Sequence, residues 1–592
     1  MKNNIPLKIL ILIILTQALL GACIPMSTEQ VNEKAVSLYT EMLKTGPEEP
    51  GSAKEKNEKG NKKGLAEVQI LRLSGRSIYS YDPAMIYSED MLLAEQLFPG
   101  LTRLDSGSTE FLPVLAEKWS VSEDQLTWTF DLRKDIPWVS YDPITNAVEQ
   151  MKDESGNIRF VNAEEIKSGL LRVLSPTLYS GNAFNLKWIE GAEEYSGGYG
   201  DVNAVGIEVI GDDQIAFHLW APNASFDALT ELTAFSALPT WVVTDSNQVL
   251  TPDMMTAFYG PYVIKEYIPE ESVILIKNPF WKGTEGLPDP TLEEIHYDLR
   301  TYSEQDVLAA FKAGELDAVE LNPDEYLLVK DDPELKDLIK IETGSCGYYL
   351  LFNNMDYAPL DDVQVRQAIS ASIDRQKLND VLYEGTGSAL LQYVPPFLRG
   401  SQDLSKENDF VFDMKHAKSL YESTPNSVEF ASQPLSLLTI DYESYSKITS
   451  YITDDLQSAL DMNVQTERFG WGDYSTGVLN NPSPSVYTYG YCLDYADAKN
   501  LWDLWLQGSP FSDVSRGTYT NSDFYNLINK APTLLDAKER QKQYEQAEEI
   551  IINQDTAIVP LVWNSRIWLI KPNVNAEILP FYQQFEDWQI TK

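Results

Sequence analysis

The chain has 592 residues, of which 46 are basic and 89 acidic, so its formal net charge is −43, and 43% of its residues are hydrophobic. Because domains cluster near ~100–150 residues, this length predicts three or four domains of ordinary globular composition. The acidic excess excludes a nucleic-acid-binding class that needs a basic face. Three histidines and three cysteines are too few for a multi-ligand zinc site or an iron–sulfur cluster, so we expect no metal and no cofactor.

Residues 1–22 have the pattern of a signal peptide. Lys2 and Lys8 precede an apolar run that is shorter than the ~20 residues of a membrane-spanning helix. The run ends in Leu20-Gly21-Ala22-Cys23, which resembles the lipobox of bacterial lipoproteins. That resemblance implies cleavage before Cys23 and a diacylglycerol on its thiol. We therefore expect a lipid-anchored protein on the extracytoplasmic face of the cell membrane, and the alternative is a plain signal peptide followed by an incidental cysteine.

Residues 23–64 are predicted to tether the folded body to the lipid. Their second half, Gly46–Gly64, is rich in Gly, Pro, Lys and Glu and has Ala53 as its only apolar side chain. Such a composition is typical of a flexible linker. The folded body is predicted to begin near Leu65, and no later stretch approaches the ~18 apolar residues of a membrane-spanning helix.

From Leu65 onwards, strand and helix signals interleave without a repeat, which predicts a mixed α/β fold of several lobes. Alternating apolar runs predict strands, the third and fourth of them forming a hairpin: Gln69–Ser74, Leu126–Leu132, Val205–Ile210, Gln214–Leu219 and Val273–Lys277. Helices are predicted after the capping residue Asn162, and over Val365–Ile373 and Gln541–Ile552.

The sequence contains no familiar catalytic motif. A His-Glu-x-x-His pair, a Gly-x-Ser-x-Gly elbow, a Walker loop and a Gly-x-Gly-x-x-Gly loop are all missing. His218 and His296 fall in predicted strands and His416 at a predicted helix start, where packing or surface roles are usual. We therefore expect no enzymatic activity.

Five segments in chain order resemble one family: 115–138, 161–176, 260–281, 359–375 and 557–574. The most specific is PLDDVQVRQAISASIDR (359–375), with its Val-Arg pair followed by a closing Asp-Arg. On these segments the chain resembles the extracytoplasmic solute-binding proteins of the peptide/nickel ABC transporter family, and within it most of all the oligopeptide-binding proteins.

The resemblance implies an α/β fold of two lobes that close over a solute like a clamp, with an extra subdomain in lobe I. Lobe I is predicted to comprise 65–105, 241–345 and 562–592, the extra subdomain 106–240, and lobe II 346–561. The implied function is a monomeric receptor that captures oligopeptides and delivers them to the permease of an ABC importer. Two alternatives stay open: a pheromone-like peptide-signal receptor, and a relative specific for a dipeptide, a nickel chelate or a sugar.

The segment YGYCLDY (489–495) resembles the ligand-binding strand of the family, Gly-Trp-Cys-x-Asp-Tyr. Matched by position, the resemblance implies that Asp494 accepts the α-ammonium of the peptide and that Tyr491 forms an aromatic wall. The backbone of Tyr489, Gly490 and Cys492 would pair with the peptide backbone. A buried ammonium needs a fixed carboxylate, and main-chain pairing binds peptides irrespective of their side chains.

Three further residues are assigned by the same resemblance. Trp471 matches a pocket-lining tryptophan, and Tyr349 is a weaker candidate for the wall. Cys346 matches a cysteine that bridges to the ligand strand, which implies a Cys346–Cys492 disulfide. The relatives also place arginines near this strand to meet the peptide carboxylate, whereas residues 473–484 contain no Arg or Lys. This departure favours longer peptides, or peptides held by stacking on tyrosines.

Overall fold

The computed structural model describes residues 64–75, 82–85, 91–105, 108–243, 250, 254, 256–300, 302–353, 358–425, 434–470, 473–474, 485–506, 519–579 and 585–592. The signal peptide, Cys23, most of the tether and Trp471 lie outside these residues, so what was predicted for them stays a prediction. Among the helices of the described ranges, none combines the length and the apolar character needed to cross a bilayer.

The described residues form a mixed α/β structure. The strands are Ile70–Ser74, Thr102–Leu104, Phe111–Pro113, Ala116–Val121, Thr127–Leu132, Val139–Asp142, Ala147–Gln150, Ile207–Val209, Gln214–His218, Tyr262–Ile268, Ser272–Lys277, Glu294–Asp298, Ala318–Leu321, Ile339–Asn353, Ser388–Ala389, Leu435–Ile440, Val464–Phe469, Ser485–Cys492, Ile558–Ile570, Val574–Asn575 and Gln589–Ile590. The α-helices are Met91–Leu97, Ala163–Val173, Ala192–Ser196, Phe226–Leu229, Glu304–Ala313, Pro323–Val329, Ala358–Asp361, Val363–Ser372, Arg375–Tyr383, Met414–Ser423, Glu443–Leu460, Ala498–Trp502, Ser522–Lys530 and Ala537–Glu549.

One sheet of eleven strands runs through the molecule. At its middle lie two long antiparallel strands, Ile339–Asn353 and Ile558–Ile570, whose register shifts between Thr343 and Gly347. A four-stranded sheet stands apart from it and contains Ala116–Val121, Thr127–Leu132, Gln214–His218 and Ile207–Val209.

The buried side chains divide into two hydrophobic cores. The first core is formed by side chains from the sequence range 71–299. Ala318, Tyr495 and side chains from 568 to 590 also belong to it. The second core is formed by side chains from the sequence range 307–569. The long strand Ile558–Ile570 contributes to both cores, so the central strands link them. The expected two-lobed α/β class is confirmed, while the residue limits given for the lobes and the extra subdomain stay predictions.

The elements predicted from local patterns are found close to their expected limits. The predicted hairpin is the antiparallel pair Ile207–Val209 and Gln214–His218. The Asn162 cap opens the helix Ala163–Val173 through a capping box, in which Asn162 Oδ1 accepts from the Glu165 N–H at 3.2 Å. The helix expected over Gln541–Ile552 begins earlier, at Ala537, and its end is a π-helical turn at Ile550–Gln554.

Candidate functional site

The candidate site is built on the strand Ser485–Cys492, named here the Tyr-rich strand. It pairs antiparallel with the second half of Ile339–Asn353, so that Tyr489 faces Tyr349 and Tyr491 faces Gly347. Because side chains alternate along a strand, Tyr489 and Tyr491 share one face. Both tyrosines are half-buried, which leaves part of each ring accessible.

A disulfide bond between Cys346 and Cys492 closes the end of this ladder, as the family resemblance implied. The two cysteines are paired in register and lie 146 residues apart in sequence. A cross-link over a loop of this length removes chain entropy worth about 5 kcal/mol at most in the loop model. The bond also fixes the strand end directly before Asp494.

Position 490 has no room for a side chain, because Tyr445 and Tyr348 pack against it. A Cβ at this position would come within 2.5 Å of the Tyr445 hydroxyl and 3.0 Å of the Tyr348 ring. The face of the Tyr-rich strand opposite Tyr489 and Tyr491 is therefore closed by protein. A ligand that packs on a face of this strand at Gly490 therefore has only the side of the two half-buried tyrosines open to it.

Asp494 follows the strand, and neutral groups hold its carboxylate. The Tyr491 hydroxyl donates to Asp494 Oδ2 at 2.8 Å and the Asn500 amide donates to the same oxygen at 3.4 Å. The side chain of Asn185 lies near this carboxylate and favours its charged form. Burial raises the pKa of Asp494 above its ordinary value, against the lowering effect of these hydrogen bonds.

Asp494 forms no ion pair with any lysine or arginine of the described ranges. The desolvation cost of this carboxylate is thus offset by dipoles alone. A half-buried carboxylate of this kind can accept an ammonium group from a bound molecule.

Tyr349 lies deeper than a wall residue should. Its side chain is fully buried, its hydroxyl donates to the Tyr393 carbonyl at 3.1 Å, and its ring centroid lies 5.5 Å from that of Tyr393. In this structure Tyr349 therefore belongs to the second core, beside Tyr489. Its side chain has no accessible surface that a ligand could contact, so the structure does not support its predicted place in the wall.

Two amide residues of the site were not found from the sequence. Asn500 lies on the short helix Ala498–Trp502, whose capping residue Asp497 could have marked that helix start. Asn185 lies in a 3-10 turn at Gly181–Leu186, next to Leu186 of the first core. Asp494 is thus contacted from both lobes, which no local pattern could show.

Comparison with known proteins agrees with this architecture. The profile of the family described as bacterial extracellular solute-binding proteins, family 5 (middle), matches residues 110–513. The chain belongs to this family. The oligopeptide-binding protein OppA of Bacillus subtilis is 25% identical over 501 residues, covering 82% of this chain and 85% of the relative.

Two solved structures share the fold. Haemophilus influenzae OppA in complex with the peptide RPPGFSPFR superposes with a TM-score of 0.67 at 22% identity, covering 89% of this chain and all of that one. The pheromone receptor PrgZ superposes equally well, with a TM-score of 0.67 at 19% identity and coverage of 89% and 100%. The resemblance stated from the five sequence segments is therefore confirmed at the level of family and fold.

A second charged group of this solute-binding protein, close to Asp494 in sequence, is buried. Lys499 is fully buried, and its Nζ lies 2.5 Å from Asp503 Oδ2 and 3.8 Å from the centre of the Trp188 ring. Trp188 Nε1 donates to the same Asp503 oxygen at 3.3 Å. Burial lowers the pKa of Lys499 to about 8, although the Asp503 carboxylate acts in the opposite direction. Trp188 belongs to the first core and the neighbours of Lys499 to the second, so this cluster joins the lobes.

Proposed function

We propose that the protein is a lipid-anchored, monomeric receptor on the extracytoplasmic face of the cell membrane. It captures oligopeptides between its lobes and delivers them to the permease of an ABC importer. The solute-binding family and the relatives named for oligopeptide binding support peptide capture for import. The lipid anchor rests on the lipobox-like sequence before Cys23, because diacylglycerol supplies the two acyl chains that stable anchoring requires.

The observation that carries the proposal is the Asp494 carboxylate. It is half-buried, Tyr491 and Asn500 donate to it, Asn185 lies beside it, and it forms no ion pair with a cation among the described residues. An α-ammonium provides the missing charge and up to three donors. The half-buried rings of Tyr489 and Tyr491 can exclude water around that pair.

The Tyr-rich strand supports the rest of the peptide. Its backbone offers hydrogen bonds that do not depend on the side chains of the bound peptide, which suits a receptor for many sequences. The absence of Arg and Lys from residues 473–484 favours ligands whose carboxylate is not captured beside this strand.

A peptide-signal receptor is the second candidate, because the pheromone receptor PrgZ shares the fold over 89% of this chain. Capture of the peptide amino terminus would be common to both functions. Cells that lack the permease separate the two functions. Uptake of a labelled peptide should be lost in these cells if the protein serves import. The response to the peptide should persist in them if the protein passes a signal to another receptor.

The proposal is tested by calorimetric titration of parent and Asp494→Asn protein with a free peptide and its N-acetylated form. Removing one partner of a buried charge pair costs about 3–5 kcal/mol, so either change should weaken binding by roughly two to three decades. The two losses should not add, because they remove one interaction. Asp454→Asn, an exposed aspartate on the helix Glu443–Leu460, is the control and should bind both peptides as the parent does. Equal binding of free and acetylated peptide by the parent would place the ammonium site elsewhere, or show that the solute is not a peptide.

A further inference from the structure

Arg399 is bound to two carboxylates at once. Its guanidinium donates to both oxygens of Asp227 at 2.7 and 3.0 Å and, through Nε, to Asp497 Oδ2 at 2.7 Å. The same group lies over the Phe111 ring, 4.6 Å from its centre. The Arg399 side chain is 12% exposed, that of Asp227 15% and that of Asp497 1%. These contacts are short, bidentate on one side and largely removed from water, which is the geometry in which an ion pair contributes most.

The two carboxylates belong to different lobes. Asp227 lies on the helix Phe226–Leu229, where Phe226, Ala228 and Leu229 are all part of the first core. Arg399 follows Leu398, and Asp497 lies between Ala496 and Ala498, all three of them residues of the second core. The Arg399–Asp497 pair is therefore internal to one lobe, whereas the Arg399–Asp227 pair spans the two.

Arg399 is also tied to the segment that carries the candidate ammonium site. Its carbonyl accepts from the Ala498 N–H at 2.9 Å. Asp497 caps the helix Ala498–Trp502 by accepting from the Lys499 N–H, and that helix carries Asn500. Asn500 Oδ1 accepts from the Asp494 N–H at 2.9 Å, and its amide reaches the Asp494 carboxylate. A short chain of hydrogen bonds thus leads from Asp227 through Arg399 and the capped helix to Asp494.

We propose that Arg399 is a positioning residue that couples lobe closure to the ammonium site, with Asp227 as its partner across the cleft. When the lobes meet, the Asp227 pair holds them together and slows ligand release. The Asp497 pair fixes the helix start that places Asn500 against Asp494. The second half of this inference rests on the proposed peptide-binding function, whereas the first half does not.

The closure half is tested with Asp227→Asn, which keeps the shape of the side chain and leaves the Arg399–Asp497 pair in place. Breaking one side of a largely buried ion pair acts mainly on dissociation, so release of a bound peptide should become roughly 10- to 100-fold faster in stopped-flow competition. The effect should be the same factor for free and acetylated peptides. Small-angle scattering of the ligand-free protein should show a larger radius of gyration for the variant.

Asp213→Asn is the matched control, because it breaks the exposed Lys134–Asp213 pair on the first lobe. Its release rate should stay within twofold of that of the parent. Its radius of gyration should equal that of the parent within error. Parent-like release rates and scattering for Asp227→Asn would overturn the closure half. If the parent binds no peptide at all, the proposed function fails, and the scattering comparison alone still decides whether the pair holds the lobes together.

The positioning half is tested with Arg399→Gln and Arg399→Lys. Arg399→Gln should speed release as Asp227→Asn does, and should also reduce the ratio of affinities for free over acetylated peptide by about tenfold, because the Asp494 segment loses its support. Asp227→Asn should leave this ratio unchanged. Arg399→Lys keeps the charge but not the forked geometry, and should recover part of the ratio. An unchanged ratio in folded Arg399→Gln protein would overturn the positioning half and leave Arg399 as a closure contact only.

Discussion

Asp494 and Asp503 lie on the same stretch between the lobes, but their surroundings differ. Asp503 is 5% exposed and faces the Lys499 ammonium and the Trp188 indole. Asp494 faces the Tyr491 hydroxyl and two amides. The protein provides a cation for Asp503 and only dipoles for Asp494.

This difference separates a structural charge from a binding charge. A carboxylate that already has its counter-ion gains little from a ligand and loses much if the counter-ion is removed. A carboxylate without one costs stability in the free protein and returns that cost when a cationic ligand arrives. The Asp503 cluster therefore joins the lobes, whereas the Asp494 carboxylate has no counter-ion of its own among the described residues, as the proposed ammonium site requires.

The largest expected effect is the loss of stability on Asp503→Asn. Lys499 would stay fully buried without its counter-ion, and breaking such a pair costs about 3–5 kcal/mol of unfolding free energy. Urea unfolding of the ligand-free protein measures it. Asp494→Asn is the contrasting variant, which should lose no stability and should gain up to about 1 kcal/mol, because it removes a half-buried charge that has no counter-ion.

The double variant Asp503→Asn with Lys499→Met should recover part of the loss, since an apolar side chain of similar length replaces the stranded ammonium. If Asp494→Asn proved as destabilising as Asp503→Asn, the contrast between the two aspartates would be wrong.

The disulfide gives a second way to separate the two regions, because it fixes the strand end before Asp494. Replacing both Cys346 and Cys492 by serine should lower the unfolding free energy by about 2–4 kcal/mol. It should also reduce the preference for free over acetylated peptide, since the Asp494 segment is less well fixed. Denaturant unfolding and calorimetry measure the two effects, and the alkylated but unreduced parent serves as control. Parent-like values in both measurements would mean that the bond fixes neither the fold nor the site.

The family resemblance of one short motif, YGYCLDY, predicted a ligand role for Asp494 and a bond from Cys492 to Cys346. The structure contains that disulfide, whereas the role of Asp494 stays a prediction. The sequence did not identify Asn185 or Arg399, because their importance lies in contacts between the lobes. In a chain of net charge −43, no local pattern separates Asp227 or Asp503 from the other acids. Charges that are paired across the cleft can be recognised only once the chain path is known.

The fold shows the same limit. Strands with one exposed face, such as Thr127–Leu132, alternate and were predicted within a residue or two. The linking strand Ile558–Ile570 is buried on both faces and has no alternation, so its pattern alone does not distinguish a strand from a buried helix. In the sequence, the segment 557–574 stands out only through its family resemblance.

The smallest predicted effect concerns pH, and it has opposite signs for stability and for binding. The pKa of Asp494 is raised in the folded protein, so between its unfolded value and its folded value the folded chain binds more protons than the unfolded chain. Asp494 therefore makes the ligand-free protein less stable as pH rises through that window, from about pH 4 upwards. Peptide affinity must rise over the same window, because only the ionised carboxylate attracts an ammonium. The difference in unfolding free energy between parent and Asp494→Asn isolates the first effect, and calorimetry at the same pH values gives the second. The contradicting result is an affinity of the parent for free peptide that stays constant over the pH range in which this stability difference changes. Asp494 would then titrate without contacting the ligand. The contrast with Asp503 would have no functional meaning.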